Sequence, residues 1–169
     1  MATRHTTLES PMGELLLVGE TSASAPGGVA LVSLSMDGQR GGAPAQAHGV
    51  RDDAAFAHAA DQLNAYFDGG LTEFELRFAS SGTPFQRDVW AALERIPYGT
   101  TVTYGQIADR IGAPRSASRS VGTAIGANPL LVVRPCHRVI GANGSLTGYA
   151  GGLERKQALL TLEGAVLGG

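Results

Sequence analysis

The 169-residue sequence has one cysteine, one tryptophan and 6% aromatic residues in all. A single cysteine excludes an intramolecular disulfide framework and fits a reducing cytoplasm. Long apolar runs are missing too. Nothing approaches a membrane span, and Met1-Ala2-Thr3-Arg4-His5 has no apolar stretch behind it that would make a signal peptide. Metal-ligand spacing is absent: His5, His48 and His58 have neither a partnering acid cluster nor a cysteine nearby, so they read as ordinary surface or core histidines. Gly151-Gly152-Leu153-Glu154-Arg155-Lys156 lacks phosphate-loop spacing. No metal and no organic cofactor is expected, and no membrane partner.

What is present is the composition of a soluble globular protein, 43% hydrophobic and 17% charged, long enough for one ordinary domain or two small ones. The net charge of −2 hides an asymmetry. Residues 1–80 hold four arginines against ten acidic residues, a balance of −6; residues 81–169 hold nine basic residues against five acidic ones, a balance of +4. Such a split suggests a C-terminal part that binds a polyanion with moderate grip, although a solvated, charge-balanced surface fits equally.

Residues 3–20 read as two strands around Pro11-Met12-Gly13, and Val29–Met36 as a third. Asp37 to Gly49 is a Gly/Pro/Gln loop. From about Asp52, Ala55, Ala59, Leu63 and Phe67 repeat at helical spacing until Gly69-Gly70, and Glu73–Phe78 alternates as a short strand. This is a small α/β unit without evident chemistry. Ser80-Ser81-Gly82 marks a boundary, giving domains over 1–80 and 81–169.

Thr83-Pro84-Phe85-Gln86 predicts a helix start, with threonine as cap, proline at the first position and glutamine three residues after the cap. Pro97-Tyr98-Gly99 ends that helix. Thr103-Tyr104-Gly105-Gln106 repeats the capping pattern for a short second helix, and a third is expected from about Ser116 to Ala127. Two short helices about a Gly-containing turn read as helix-turn-helix or as a plain helical corner. A helix that reads the major groove presents long hydrogen-bonding side chains. This one presents Ser118, Ser120, Gly122 and Thr123 around a single long side chain, Arg119. So slim a surface suits the narrow, degenerate minor groove of double-stranded DNA and predicts little sequence preference.

Leu130–Val133 is a continuous apolar run between two prolines, expected to be a buried strand that delivers Arg134-Pro135-Cys136-His137-Arg138-Val139-Ile140 from the interior. A neighbouring imidazole and positive charge lower a thiol's pKa and make it a nucleophile, whereas a lone cysteine is otherwise a small buried hydrophobe. Arg138–Ala142 and Ser145–Gly148 are expected to form a hairpin about Asn143-Gly144. Leu153–Glu163 is a last helix ending at Gly164, with Leu153, Leu160 and Glu163 on one face. An inward Glu163 needs a partner, and His137 is the candidate.

The run Pro-Cys-His-Arg-Val at 135–139 resembles the O6-alkylguanine-DNA alkyltransferase family. So do Asn128-Pro129, Gly148-Tyr149-Ala150-Gly151-Gly152-Leu153, Val102–Ala108 and Arg119-Ser120-Val121-Gly122. The likeness is strong over about 83–164 and general in layout before that. It implies an α/β, ribonuclease-H-like N-terminal domain and a mainly α, helix-turn-helix (winged-helix-like) C-terminal domain carrying the active site. In that reading Cys136 accepts the alkyl group of O6-alkylguanine after base flipping, irreversibly and once per molecule. His137 is its base through a water, and Glu163 orients His137. Tyr104 helps rotate the nucleotide and bonds guanine N3. Arg119 fills the place of the flipped base, with Ser118, Ser120, Gly122 and Thr123 on the DNA-facing helix. Asn128 holds the turn before the cysteine. The Cys136 and Val139 carbonyls accept from the guanine amino group, and Tyr149 and the Ala150 N–H line the pocket near O6. A monomer in the cytoplasm is expected.

Two departures stand out. Arg134 occupies a place that is usually aliphatic in the family, with solvent, a phosphate or an acid of the N-terminal part as its possible partners. Ser118 and Ser120 flank Arg119 where alanine is common. Two other readings of the residues are a damage-recognition module whose cysteine is never alkylated and a cysteine hydrolase using Cys136, His137 and Glu163. Adjacent Cys and His on a strand would point to opposite faces, which counts against the hydrolase.

Overall fold

Residues 2–39, 48–79 and 81–165 are described by the computed structural model, in two units, Met1–Ser80 and Ser81–Gly169. In the first, β1 (Thr3–Ser10) and β2 (Gly13–Thr21) pair antiparallel across a tight turn in which Ser10 Oγ donates to Gly13 O. β3 (Val29–Met36) continues the antiparallel sheet. β2 and β3 shift register at Val18/Gly19. A Cβ on Gly19 would stand 2.5 Å from Val29 Cγ1 and 2.9 Å from Ala30 O, so only glycine lets the strands pass there.

The short strands β4 (Val50–Arg51) and β5 (Arg77–Phe78) close the sheet as its parallel edges, in the order β4-β1-β2-β3-β5. The strand expected over Glu73–Phe78 is thus only its last two residues. Of the loop expected over Asp37–Gly49, residues 40–47 lie outside the described residues. Helix α1 (Ala57–Phe67) follows a 3₁₀ turn at Ala54–Phe56 and buries Ala59, Leu63 and Tyr66. The buried stripe ends on Tyr66 rather than the expected Phe67, because the turn ahead of the helix brings Phe56, not Ala55, into the core.

The second unit opens with α2 (Pro84–Leu93), whose Thr83 cap and Gln86 form the reciprocal capping box the sequence predicts. The same device starts α3 (Tyr104–Arg110) at Thr103 and Gln106. A 3₁₀ turn at Arg115–Ala117 leads into α4 (Ser118–Gly126). Trp90 of α2 is buried and its Nε1 donates to Ala124 O of α4 at 2.9 Å, which pins the two helices together without leaving the indole N–H unsatisfied. Two strands of two residues each, β6 (Val102–Thr103) and β7 (Val139–Ile140), pair parallel, and α5 (Leu153–Leu162) ends with Gly164 at φ 71°.

Three expectations for this unit fail. Leu130–Val133 is not a strand. All four residues are buried, but the chain turns sharply there, with Val133 N–H bonded to Leu131 O and Arg134 N–H to Leu130 O. A short apolar run reports burial, and burial alone does not choose between a strand and a turn whose polar groups are satisfied internally. The hairpin about Asn143-Gly144 survives only as its turn, closed by Gly141 N–H to Ser145 O; the strand before it pairs with β6 instead. On α5, Leu153 is 48% exposed, and the inward face is Lys156, Leu159, Leu160 and the capping Glu163.

Candidate active site

Asn128 is where the chain leaves the helices, and its side chain braces the whole turn that follows. Its Nδ2 donates to Leu130 O and Arg134 O, both at 3.2 Å, while its Oδ1 accepts from Leu130 N at 3.0 Å. Inside that turn Val132 sits at φ 69°. A β-branched residue in the left-handed region costs about 1–3 kcal/mol, which the surrounding bonds and the burial of four apolar side chains must offset. The strain lies four residues before the cysteine.

Arg134 is held by groups of its own unit. Its Nε donates to Glu94 Oε2 at 2.9 Å, its Nη1 to Asn128 Oδ1 at 3.4 Å, and its guanidinium lies 5.0 Å from the centre of the Trp90 ring. Glu94 caps the C-terminus of α2, within the same unit. Stacking on indole plus one half-exposed carboxylate lets this buried arginine stand in for an aliphatic residue.

Cys136 begins a 3₁₀ turn, Cys136–Arg138, and is 4% exposed. Burial pushes its thiol pKa up, against a smaller pull downwards from a hydrogen bond to Asn128 and from the charges of Lys156 and Arg134. The neighbours thus act in the expected direction, but burial outweighs them and holds the thiol pKa above its usual value. His137 is not hydrogen-bonded to it, since His137 Nδ1 has no partner among the described residues. Nor do the two lie on a strand, so that argument against direct pairing loses its premise.

His137 is wholly buried, and its Nε2–H donates to Glu163 Oε2 at 2.8 Å. The same carboxylate receives Arg138 bidentately, Nε to Oε1 at 2.7 Å and Nη2 to Oε2 at 2.9 Å, with Arg138 Nη1 on Ile96 O at 2.6 Å. Because a carboxylate held by a guanidinium can only accept, the histidine proton belongs on Nε2 and the lone pair on Nδ1. Burial drives the His137 pKa down, and the Glu163 bond only partly opposes it, so the ring is neutral. The buried acid, the cation and the imidazole form a charge-balanced triad.

Val139 is fully buried in β7, and its carbonyl accepts from Lys156 Nζ at 2.7 Å. Lys156 also donates to Thr147 O at 3.0 Å. The Thr147 hydroxyl in turn hydrogen-bonds the Tyr104 hydroxyl at 2.5 Å. Tyr149 and Ala150, both half-buried, lie in the turn before α5. One buried cluster thus unites Cys136, His137, Glu163, Asn128 and Val139, and Tyr104 is tied to its edge through Thr147. Apart from it, the face of α4 carries Arg119, Ser120 and Thr123 exposed. Ser118 Oγ donates to Arg115 O and Thr123 Oγ1 to Arg119 O, so both hydroxyls fold back and Arg119 is the one long projection. A Cβ on Gly122 would make only an ordinary 3.7 Å contact with Tyr104, so nothing inside the chain demands glycine there.

Sequence reasoning missed Lys156, Arg138 and Glu94. Helical spacing could have found the first, because Lys156, Leu160 and Glu163 recur at i, i+4 and i+7. No local signal marks the other two, whose partners are distant in the chain.

Comparison with known proteins addresses both units. Residues 3–80 match the ribonuclease-like domain of 6-O-methylguanine DNA methyltransferase, and residues 84–165 match the DNA binding domain of the same family. The methylated-DNA–protein-cysteine methyltransferase of Mycobacterium bovis is 52% identical over 159 residues, 94% of this chain and 91% of the relative. That of Methanosarcina acetivorans is 47% identical over 157 residues, covering 93% and 96%. Among solved structures, the Mycobacterium tuberculosis O6-methylguanine methyltransferase superposes with a TM-score of 0.85 at 51% identity, over 96% of this chain and 93% of that one. A complex of the M. tuberculosis protein with DNA also gives 0.85 at 51%, over 95% and 92%. With both units matched and about half the residues identical over nearly full length, the chain belongs to the 6-O-methylguanine DNA methyltransferase family, the methylated-DNA–protein-cysteine methyltransferases.

Proposed function

We propose that this protein repairs O6-alkylguanine in DNA by moving the alkyl group onto Cys136. The observation that carries the reading is a buried thiol next in sequence to a neutral His137 whose proton is locked on Nε2 by Glu163, leaving Nδ1 to accept. The thiol proton passes through a water to Nδ1. Sγ attacks the alkyl carbon in line, the S–C bond forms as the C–O6 bond breaks, and the proton is returned to the departing guanine. The low basicity of His137 favours that return, since burial disfavours a lasting imidazolium. The thioether has no route back, so each molecule acts once.

The base must leave the duplex to reach a thiol this buried, at a cost of a few kcal/mol that a damaged pair lowers. Tyr104 assists rotation and bonds guanine N3. The Cys136 carbonyl and the remaining lone pair of Val139 O accept from the guanine amino group, and Tyr149 and the Ala150 N–H line the O6 side. Asn128 keeps the turn before Cys136 in register. Arg119 enters the stack from α4, and the folded-back hydroxyls of Ser118 and Thr123, with Ser120 and Gly122, support a minor-groove approach with little sequence preference.

The five-stranded mixed sheet supports reading the first unit as ribonuclease-H-like, and the α3–α4 pair with the β6–β7 strands supports a winged-helix-like second unit. One thiol suffices for one transfer, which fits a monomer in a reducing cytoplasm with no cofactor.

The test is intact mass after incubation with duplex carrying O6-methylguanine. The expected result is one gain of about 14 Da, a CH₂, on the peptide holding Cys136 and none in Cys136→Ala. Binding without a mass gain would mean a recognition module instead, and repeated turnovers a hydrolase.

A further inference from the structure

Tyr104 opens α3, and its phenolic hydroxyl lies 2.5 Å from the hydroxyl of Thr147, 43 residues further along the chain. Thr147 has no part in the transfer described above. It stands just before Gly148–Leu153, in the segment that joins β7 to α5. That segment is anchored at Thr147 and on both sides of it. Gly141 N–H bonds Ser145 O at 2.9 Å, Thr147 O accepts from Lys156 Nζ at 3.0 Å, and Gly152 N–H bonds Tyr149 O at 2.9 Å. The Tyr104 ring is confined as well, since a Cβ on Gly122 of α4 would touch its Cε1 at 3.7 Å. The phenol is thus bounded at its edge by α4 and held at its hydroxyl by Thr147.

Either hydroxyl of this pair can donate. A phenol donates more strongly than an aliphatic alcohol, so before a base enters the Tyr104 proton lies towards Thr147 Oγ1. Guanine N3 is a ring nitrogen with a lone pair and can only accept. For Tyr104 to bond it, the phenolic proton must turn to N3, which leaves an oxygen lone pair facing Thr147. A carbonyl or carboxylate in place of the threonine hydroxyl would keep the proton for itself. An apolar side chain would leave the phenol without its partner. A hydroxyl carries both a proton and lone pairs, and so can answer the turn by reversing.

We propose that Thr147 is a positioning residue of the alkyl transfer: its hydroxyl holds the Tyr104 hydroxyl in place and reverses from acceptor to donor as Tyr104 engages guanine N3. The bonds then run from Thr147 Oγ1–H to the Tyr104 oxygen, and from Tyr104 O–H to N3. No proton leaves either residue. Each bond polarises the next, and the charge that gathers on the guanine ring as C–O6 breaks strengthens the donation to N3.

This inference rests on the alkyl-transfer reading, and its test separates the two. The rate of transfer from saturating duplex carrying O6-methylguanine is measured in a single turnover, beside duplex affinity. Thr147→Val keeps the shape and removes the hydroxyl. It should slow transfer about three- to tenfold, the effect of one uncharged hydrogen bond, while duplex affinity changes less than about twofold. Thr147→Ser, which keeps the hydroxyl, should restore most of the rate. In a Tyr104→Phe background, Thr147→Val should slow transfer no further, because its partner is already gone. A lesion with carbon in place of N3, 3-deaza-O6-methylguanine, should react at the same rate with Thr147→Val as with the unaltered protein.

A merely structural threonine would lower the melting temperature and leave the rate alone, or give losses that add to those of Tyr104→Phe. Either result overturns the proposal, as does equal slowing on the normal and the 3-deaza lesion. Thr147→Ala gives the same comparison if Thr147→Val does not fold. Absence of transfer by the unaltered protein would instead sink the alkyl-transfer reading itself.

Discussion

At the scale of single residues, the site works by withholding charge. Cys136 and His137 are both pushed towards their neutral forms by burial. His137 has a price in acid. Its pKa is lowered from 6.5 in the folded protein, so between that value and the depressed one the unfolded chain binds more protons than the folded. Stability is therefore complete above about pH 6.5 and falls as pH drops through the window below it. Urea midpoints at pH 7 and pH 5 should show this loss, and a His137→Gln protein should show a smaller difference between the two. An equal pH dependence in both would assign the acid sensitivity to other groups.

At the scale of elements, α4 and the turn that follows it divide the labour. The helix presents one arginine on an otherwise short-chained face, and the turn carries strain at Val132 under the bracing of Asn128. If Arg119 stands in for the flipped base, Arg119→Ala should cut repair in duplex by an order of magnitude or more while leaving reaction with free O6-benzylguanine within about twofold. Equal losses on the two substrates would remove Arg119 from the flipping step.

At the scale of the whole molecule, charge is partitioned between the units, −6 over residues 1–80 and +4 over residues 81–169. Affinity for duplex should consequently fall with salt only moderately, with a slope of log K against log salt no steeper than about −4. A titration between 50 and 200 mM salt measures it. A much steeper slope would require more phosphate contacts than the net charge of the second unit suggests. Weak ionic steering suits a protein that must sample many sites and commit only where a base opens.

What the sequence determined by itself was local or covalent. The capping boxes at Thr83 and Thr103 and the stop at Gly164 were legible, because each depends on residues within a turn of one another. The motif around Cys136 was legible as well, since a reactive thiol and its neighbours are adjacent in the chain. Tertiary structure decided everything that depends on distance and dielectric. It turned the apolar run Leu130–Val133 into a braced turn, gave β7 to β6 instead of a hairpin, and sent Arg134 to Glu94 and Trp90. It also added the burial that raises the thiol pKa against the pull of its neighbours, and buried the one lysine of the chain. The physical reason is the same in each case. A sequence shows which groups carry charge or hydrogen bonds, but the cost of burying them and the partner that offsets it exist only once residues far apart in the chain have met.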